Sequence, residues 1–144
     1  MNPNDPFFSE SERFISRSND KNHTLIIGLP FFIEFGRLIQ KRGTERAIQI
    51  LETIKESDIK LDIIDIDDIW KLAISYEKAK VLSQSSIFDL LHYASASLSH
   101  CNCLASWDTT HFNSRRTKIV NEINVKLGLA ELKIGTPSKL IGEL

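Results

Sequence analysis

Three acidic residues lie at positions where a carboxylate could take part in chemistry. Asp108 follows an apolar run directly, in CLASWD, Asp89 lies early in a helical stretch, and Glu34 follows another β-rich run. Each has a plainer interpretation, with Asp108 as a turn or helix cap and the other two as first-turn acids complementing a helix dipole. Brought together, three carboxylates would suit Mg²⁺ or Mn²⁺, which prefer oxygen ligands. Such a centre can activate water for attack on a phosphodiester.

Four other side chains could support this chemistry or a different one. His92 could orient a carboxylate, or it could be a packed helix histidine. His111 could contact a phosphate, or it could be an ordinary loop residue. Cys101 and Cys103 have the spacing of half a zinc site, but the sequence contains no second cysteine pair. They are therefore interpreted as strand thiols.

Basic residues are concentrated in two parts of a chain whose net charge is only -1. That overall charge gives no support for a nucleic-acid partner. Locally, however, residues 109–144 carry six Lys or Arg against three acids, and a second basic cluster lies between residues 37 and 46. Solvated helix faces are the alternative explanation. The basic residues that flank the acids in sequence, and are candidate phosphate contacts, are Arg37, Lys41, Arg115 and Arg116.

The acids need a scaffold, and the hydrophobic pattern predicts a single α/β domain over residues 1–144. Short β-rich runs alternate with helices, which is typical of βαβ units forming a parallel sheet covered on both faces. In such sheets functional residues gather at the carboxyl ends of the strands. Thr44 and Asp67 are predicted helix caps. The predicted strands are 23–28, 60–66, 101–106 and 132–134; the predicted helices are 8–17, 30–41, 45–56, 68–82, 85–98 and 114–127, with a last helical turn at the end.

Compartment and membrane association can also be predicted. No apolar run approaches the roughly 20 residues that a membrane span needs. The first ten residues lack a basic segment of the signal-peptide kind. Two cysteines in such a chain favour a reducing cytoplasm. We therefore expect a cytoplasmic protein with no membrane partner.

Three segments together resemble PIN-domain ribonucleases of the toxin–antitoxin kind. FDLLHYASASLSHCNCLASWDTTHF (88–112) is similar to the family's Asp-x-x-His-x-x-x-Ala helix followed by a strand ending in Ser/Thr-x-Asp. NEINVKLGLAELKIGTPSKL (121–140) resembles the ending of one toxin subgroup, with its Asn, Gly and Thr-Pro-x-x-Leu. LIIGLPFFIEFGRLI (25–39) is similar to the strand-to-helix unit that carries the family's glutamate.

The resemblance implies a PIN-like three-layer α/β/α fold with a mainly parallel sheet. It also implies an endoribonuclease whose acids hold Mg²⁺ or Mn²⁺. Glu34, Asp89 and Asp108 match the family's metal-binding and catalytic acids, with Ser106 and His92 in supporting positions. The implied partners are RNA, a cognate antitoxin protein and further copies of this chain.

One departure from the family concerns the N-terminus. PIN domains open with a central strand ending in Asp, whereas this chain opens with MNPNDPFFSESERF, which corresponds to the segment after that strand. Asp5 has no apolar strand before it, so the first strand and the first of four acids are expected to be missing. Three functions stay open: a metal-dependent endoribonuclease, a disarmed PIN-like binding or scaffold protein, and a metal-dependent phosphatase-like enzyme or DNA nuclease.

Overall fold

Helices and short parallel strands alternate in the computed structural model, which describes residues 8–21, 23–79 and 87–143. This confirms a mixed α/β protein. Asp5 and the start of a helix expected at residues 85 or 86 lie outside the described residues. In order, the elements are α1 (Phe8–Asp20), β1 (Leu25–Gly28), α2 (Leu29–Arg42), α3 (Thr44–Glu56), β2 (Ile59–Asp62), α4 (Ile66–Lys78), α5 (Ile87–Leu98), β3 (Cys103–Ala105), α6 (Ser114–Lys126), β4 (Lys133–Gly135) and α7 (Pro137–Glu143).

The strands form two parallel pairs. β1 pairs with β2 from Leu25 opposite Ile59, and β3 pairs with β4 from Cys103 opposite Lys133. The predicted parallel pairing is therefore confirmed, but the strands are only three or four residues long. Among the described residues no ladder joins the two pairs. The described strands thus form two separate parallel pairs, where the sequence predicted a mainly parallel sheet.

Helix α5 is the centre of the core. Its residues from Leu90 to Ser97 are buried except the half-buried His92, and it packs on the buried face of α4. Its small residues let other elements approach closely. A Cβ added to Gly28, at the end of β1, would lie 2.3 Å from Ser95 Oγ, so only glycine fits there unless Ser95 moves. This contact holds the end of β1 against the middle of α5.

A buried polar cluster joins α4, α5 and α6. The Tyr76 hydroxyl donates to Asn124 Oδ1 at 2.5 Å and lies 3.2 Å from Ser97 Oγ. The Asn124 amide N–H donates to Ser97 Oγ at 2.9 Å. Burial raises the pKa of Tyr76 to about 12, despite hydrogen bonds that favour its ionised form. Buried polar groups that are mutually satisfied fix the relative position of the helices that carry them.

The Asn121 side chain holds the segment before β4 by hydrogen bonding to the backbone of Leu132 in both directions. The Asn121 amide donates to Leu132 O at 3.0 Å, and Leu132 N donates to Asn121 Oδ1 at 2.9 Å. Gly128, which ends the preceding helix, has a φ of 75°, a conformation that glycine adopts without strain. These contacts place β4 beside β3.

Two predicted helix caps are wrong. Asp65, not Asp67, caps α4: the Asp67 backbone N–H donates to Asp65 Oδ1 at 2.8 Å, so Asp67 lies in the first turn. Thr44 is already helical, and the residue before α3 is Gly43, with a φ of 82°. Within the described ranges no helix is long and apolar enough to cross a membrane.

Candidate metal centre

The loop after β3 holds Asp108 in a defined orientation. Asp108 Oδ1 accepts the backbone N–H groups of Thr110, at 2.9 Å, and His111, at 3.1 Å. Asp108 N donates to Ser106 Oγ at 3.1 Å, which is a supporting role for Ser106. One carboxylate oxygen is therefore engaged in the turn. Oδ2 is left for a different partner.

The same loop is fastened to the core by aromatic and basic side chains. The Tyr93 hydroxyl donates to the carbonyl of His111 at 3.2 Å, and the ring of Phe112 stacks on Tyr93 with centroids 5.0 Å apart. The Arg116 guanidinium donates to the Thr110 carbonyl at 2.6 Å. The backbone of His111 is thus fixed from both sides, which orients its ring.

Asp89, Asp108 and His111 converge on one point. His111 Nδ1 lies 3.0 Å from Asp108 Oδ2 and 3.3 Å from Asp89 Oδ2. One donor atom from each of the three residues lies within 4.8 Å of the other two. The helix α5 contributes Asp89, and the loop after β3 contributes the other two. The fold therefore assembles two carboxylates and an imidazole nitrogen from separate elements.

Asp89 is the most buried residue of this cluster. Its side chain is only 14% exposed, and Oδ2 is buried without a hydrogen-bond donor. His111 Nδ1 is within ion-pair distance of Oδ2 but makes no hydrogen bond to it, whereas Nδ1 lies within hydrogen-bond distance of Asp108 Oδ2. Burial raises the pKa of Asp89, and the neighbouring charges of Asp108 and Glu34 add to that effect. A cation would satisfy this carboxylate.

The pKa of Asp108 is shifted in the opposite direction from that of Asp89. Its partial burial acts to raise its pKa. Hydrogen bonds from the backbone and ring of His111 and from the Thr110 N–H outweigh that effect, so the pKa of Asp108 is lowered. Its side chain is 44% exposed. At neutral pH Asp108 is therefore a well-stabilised carboxylate at the open side of the cluster.

Glu34 and His92 form a neighbouring pair. His92 Nε2 lies 3.1 Å from Glu34 Oε2. This hydrogen bond lowers the pKa of Glu34; partial burial opposes the shift, and electrostatic attraction to His92 and Arg37 adds to it. The charge of Glu34 is close enough to affect Asp89. Glu34 is thus bonded to His92 and acts on Asp89 through its charge, but the group with metal-ligand spacing does not include it.

The four candidate phosphate contacts differ in their surroundings. The guanidinium carbon of Arg37 lies 3.9 Å above the ring of Phe88, and Arg116 is tied to the loop carbonyl. Lys41 and Arg115 are exposed. Two of the four therefore have structural contacts of their own, and the other two point into solvent.

The sequence interpretation underrated His111 as a site residue. It lies three residues after Asp108, and only the tight turn built on Asp108 Oδ1 brings its ring back to that carboxylate. The available signal was the spacing of an aspartate and a histidine around a short polar turn.

Other features are separate from this cluster. Cys101 and Cys103 are half-buried free thiols whose pKa values are raised by burial. Among the described residues the one group with metal-ligand spacing does not include them. A groove of about 1120 Å³ lies between α6, β4 and α7, bordered by Lys118, Lys133 and Lys139 and by interspersed glutamates. It contains none of the candidate acids.

No protein-family model, curated protein or solved structure matches this chain. Fold and site together define a mixed α/β protein with short parallel strands and a cluster of two aspartates and one histidine. The resemblance to PIN-domain ribonucleases rests on the residues and motifs of the chain itself.

Proposed function

We propose that this protein is a metal-dependent endoribonuclease of the PIN-domain toxin kind, with that family's three-layer α/β/α arrangement. One observation carries the proposal: Asp89 and Asp108, the two acids of the central motif, converge although they come from different elements. If Asp108 were only a turn cap and Asp89 only a helix-dipole acid, their carboxylates would not be expected to lie together. Glu34, the third motif acid, lies near enough to influence the pKa of Asp89.

The residues at this point fit Mg²⁺ or Mn²⁺. The buried Asp89 Oδ2 has no hydrogen-bond donor, and a second carboxylate oxygen, Asp108 Oδ2, faces the same point. A divalent cation held there would supply activation of water and stabilisation of negative charge on a phosphodiester. The two aspartates would hold it.

The surrounding residues of the chain have separate tasks. Ser106 fixes the backbone of Asp108, and Tyr93 fixes that of His111, so the ligating atoms are oriented before substrate arrives. His92 and Glu34 form a hydrogen-bonded pair beside the site, where they can orient a water molecule or hold a proton. Exposed Lys41 and Arg115 are available to contact RNA phosphates.

Protein partners are part of the proposal. Large apolar side chains are exposed on α3, with Ile48 54% and Leu51 44% exposed, and on the segment after β2, with Ile63 76% exposed. Exposed apolar patches mark protein interaction surfaces. These exposed apolar side chains support an association with an antitoxin protein or with another copy of the chain. Such a toxin would act in the cytoplasm, where its RNA substrate is.

Cleavage of a labelled single-stranded RNA tests the proposal. We expect cleavage with Mn²⁺ or Mg²⁺, loss of cleavage on chelation, and loss in Asp89→Asn and Asp108→Asn. Asp58→Asn, at an exposed turn residue, is the matched control and should retain activity. Metal-dependent cleavage that persists in Asp89→Asn would reject the site. No cleavage by the parent protein with either metal would reject the enzyme.

A disarmed binding protein is the second candidate. The observation favouring it is that no ladder joins the two strand pairs of the described residues, which departs from the three-layer fold that the resemblance implies. RNA that is bound but never cleaved, with the same affinity in Asp108→Asn, would favour this candidate over the enzyme.

A further inference from the structure

We infer that His111 is itself a metal ligand through Nδ1, and that this nitrogen makes the centre select Mn²⁺ over Mg²⁺. The inference rests on the proposed metal site and specifies which cation it takes. It assigns to His111 a role that the three-acid pattern does not contain.

The first support is the position of the nitrogen. Nδ1 lies 3.0 Å from one aspartate oxygen and 3.3 Å from the other. Two ligands at right angles, each roughly 2.1 Å from a small divalent ion, are about 3 Å apart. The nitrogen thus already lies at the spacing of neighbouring ligands from each of the two oxygens.

The second support is independent of that spacing. Asp89 Oδ2 is buried, faces Nδ1, and has no hydrogen bond. His111 Nδ1 lies 3.3 Å from this atom but makes no hydrogen bond to it, so the atom still needs a donor or a cation. An ion between the three donors would contact Asp89 and Asp108 together.

The nitrogen has a consequence for metal choice. Mg²⁺ takes oxygen ligands almost exclusively and retains its water molecules. Imidazole suits transition metals, and Mn²⁺ accepts carboxylate ligands as well. A set of two carboxylates and one imidazole therefore favours Mn²⁺ relative to the all-carboxylate set that the sequence motif implies.

Metal binding by the full chain tests this without any substrate. The electron paramagnetic resonance signal of free Mn²⁺ measures its affinity, and competition measures that of Mg²⁺. In His111→Asn we expect Mn²⁺ affinity to fall by about tenfold or more, while Mg²⁺ affinity changes much less. The matched control is His100→Asn, at an exposed residue with a φ of 53° that asparagine tolerates. It should bind both ions as the parent does.

A direct readout covers the case in which His111→Asn does not fold. Electron spin echo modulation of bound Mn²⁺ detects a coordinated imidazole nitrogen in the parent protein. We expect that modulation in the parent and in His92→Asn, which removes the other histidine of the region. If the modulation is lost in His92→Asn, the coordinating histidine is His92 and the inference is overturned.

The remaining outcomes separate this inference from the proposed function. Mn²⁺ bound without nitrogen modulation, or equal losses of Mn²⁺ and Mg²⁺ affinity in His111→Asn, would overturn the role of His111 and leave the aspartate site standing. No binding of either ion by the parent would overturn the metal site and the inference together. RNA cleavage is a separate measurement and decides the enzyme.

Discussion

Replacing Asp89 by asparagine should stabilise the metal-free protein. The buried Oδ2 of Asp89 has no hydrogen-bond donor, and burial raises the pKa of this carboxyl. A buried polar atom left unsatisfied costs roughly 1–3 kcal/mol, and more when it is charged, so the neutral amide of asparagine carries only part of that cost. Against that stands the loss of attraction to the partly exposed His111, worth roughly 0–1 kcal/mol. The net expectation is a gain of about 1 kcal/mol, or about 4 °C in Tm for a chain of this size.

Adding Mn²⁺ should make the parent protein more stable than Asp89→Asn, which is the reverse of the order expected without metal. A ligand at a hundred times its Kd stabilises the folded state by about 2.7 kcal/mol. The parent should gain this from Mn²⁺, whereas Asp89→Asn should gain little. Thermal denaturation of both proteins, with chelator and then with saturating Mn²⁺, measures directly which protein has the higher Tm under each condition.

The pH dependence has a defined sign. A carboxyl whose pKa is raised by folding contributes stability below its unfolded-state pKa and loses it as pH rises through the folded-state value. The stability advantage of Asp89→Asn should therefore be small below pH 3.8, the ordinary value for this group, and should grow above it. Asp108→Asn is the comparison, because the lowered pKa of Asp108 predicts loss of stability at neutral pH. An Asp89→Asn protein that is less stable than its parent at neutral pH without metal would refute the reasoning.

Three further predictions concern the core and the basic surface. Tyr76→Phe removes the donor to Asn124 and should lower the free energy of unfolding by roughly 1–3 kcal/mol in a denaturant titration, with Mn²⁺ affinity unchanged. Gly28→Ala should destabilise the protein, and Ser95→Ala should partly restore it, because the added Cβ would meet Ser95 Oγ; additive effects in the double-mutant cycle would contradict that contact. If exposed Arg115 contacts a phosphate, Arg115→Ala should reduce the slope of log affinity for single-stranded RNA against log salt by roughly 0.7; an unchanged slope would remove it from the interface.

Much of the local structure could be predicted because it depends on short-range patterns. The run LIIG followed by proline gives a strand and then a helix starting near its preferred proline position, as observed for β1 and α2. Gly43 and Gly128 end helices through positive φ angles. The α4 cap was misassigned because Asp65, Asp67 and Asp68 are all plausible caps by type. Only the hydrogen bond to the Asp67 N–H identifies Asp65.

The site was predictable in part, for a similar reason. Topology alone places residues after parallel strands at one edge, which brings Asp108 toward the start of α5 and hence toward Asp89. The role of His111 depends on how the loop after β3 folds back, through two backbone hydrogen bonds to Asp108 Oδ1. The division into two strand pairs also could not be read locally, because strand partners are set by long-range packing.

The two aspartates of the candidate centre reach the same point at different energetic cost. Asp89 lies in the first turn of α5, where the helix dipole favours a negative charge. Its pKa is nevertheless raised, so burial against the core outweighs the dipole. Asp108 is held by hydrogen bonds that favour its charge, and its pKa is lowered. The loop contacts of Asp108 thus favour its charged form, whereas burial disfavours the charged form of Asp89, which a cation would neutralise. The oxygen of Asp89 that lacks a hydrogen bond, close to Asp108 and His111, is therefore placed to take a cation, as the proposed metal site requires.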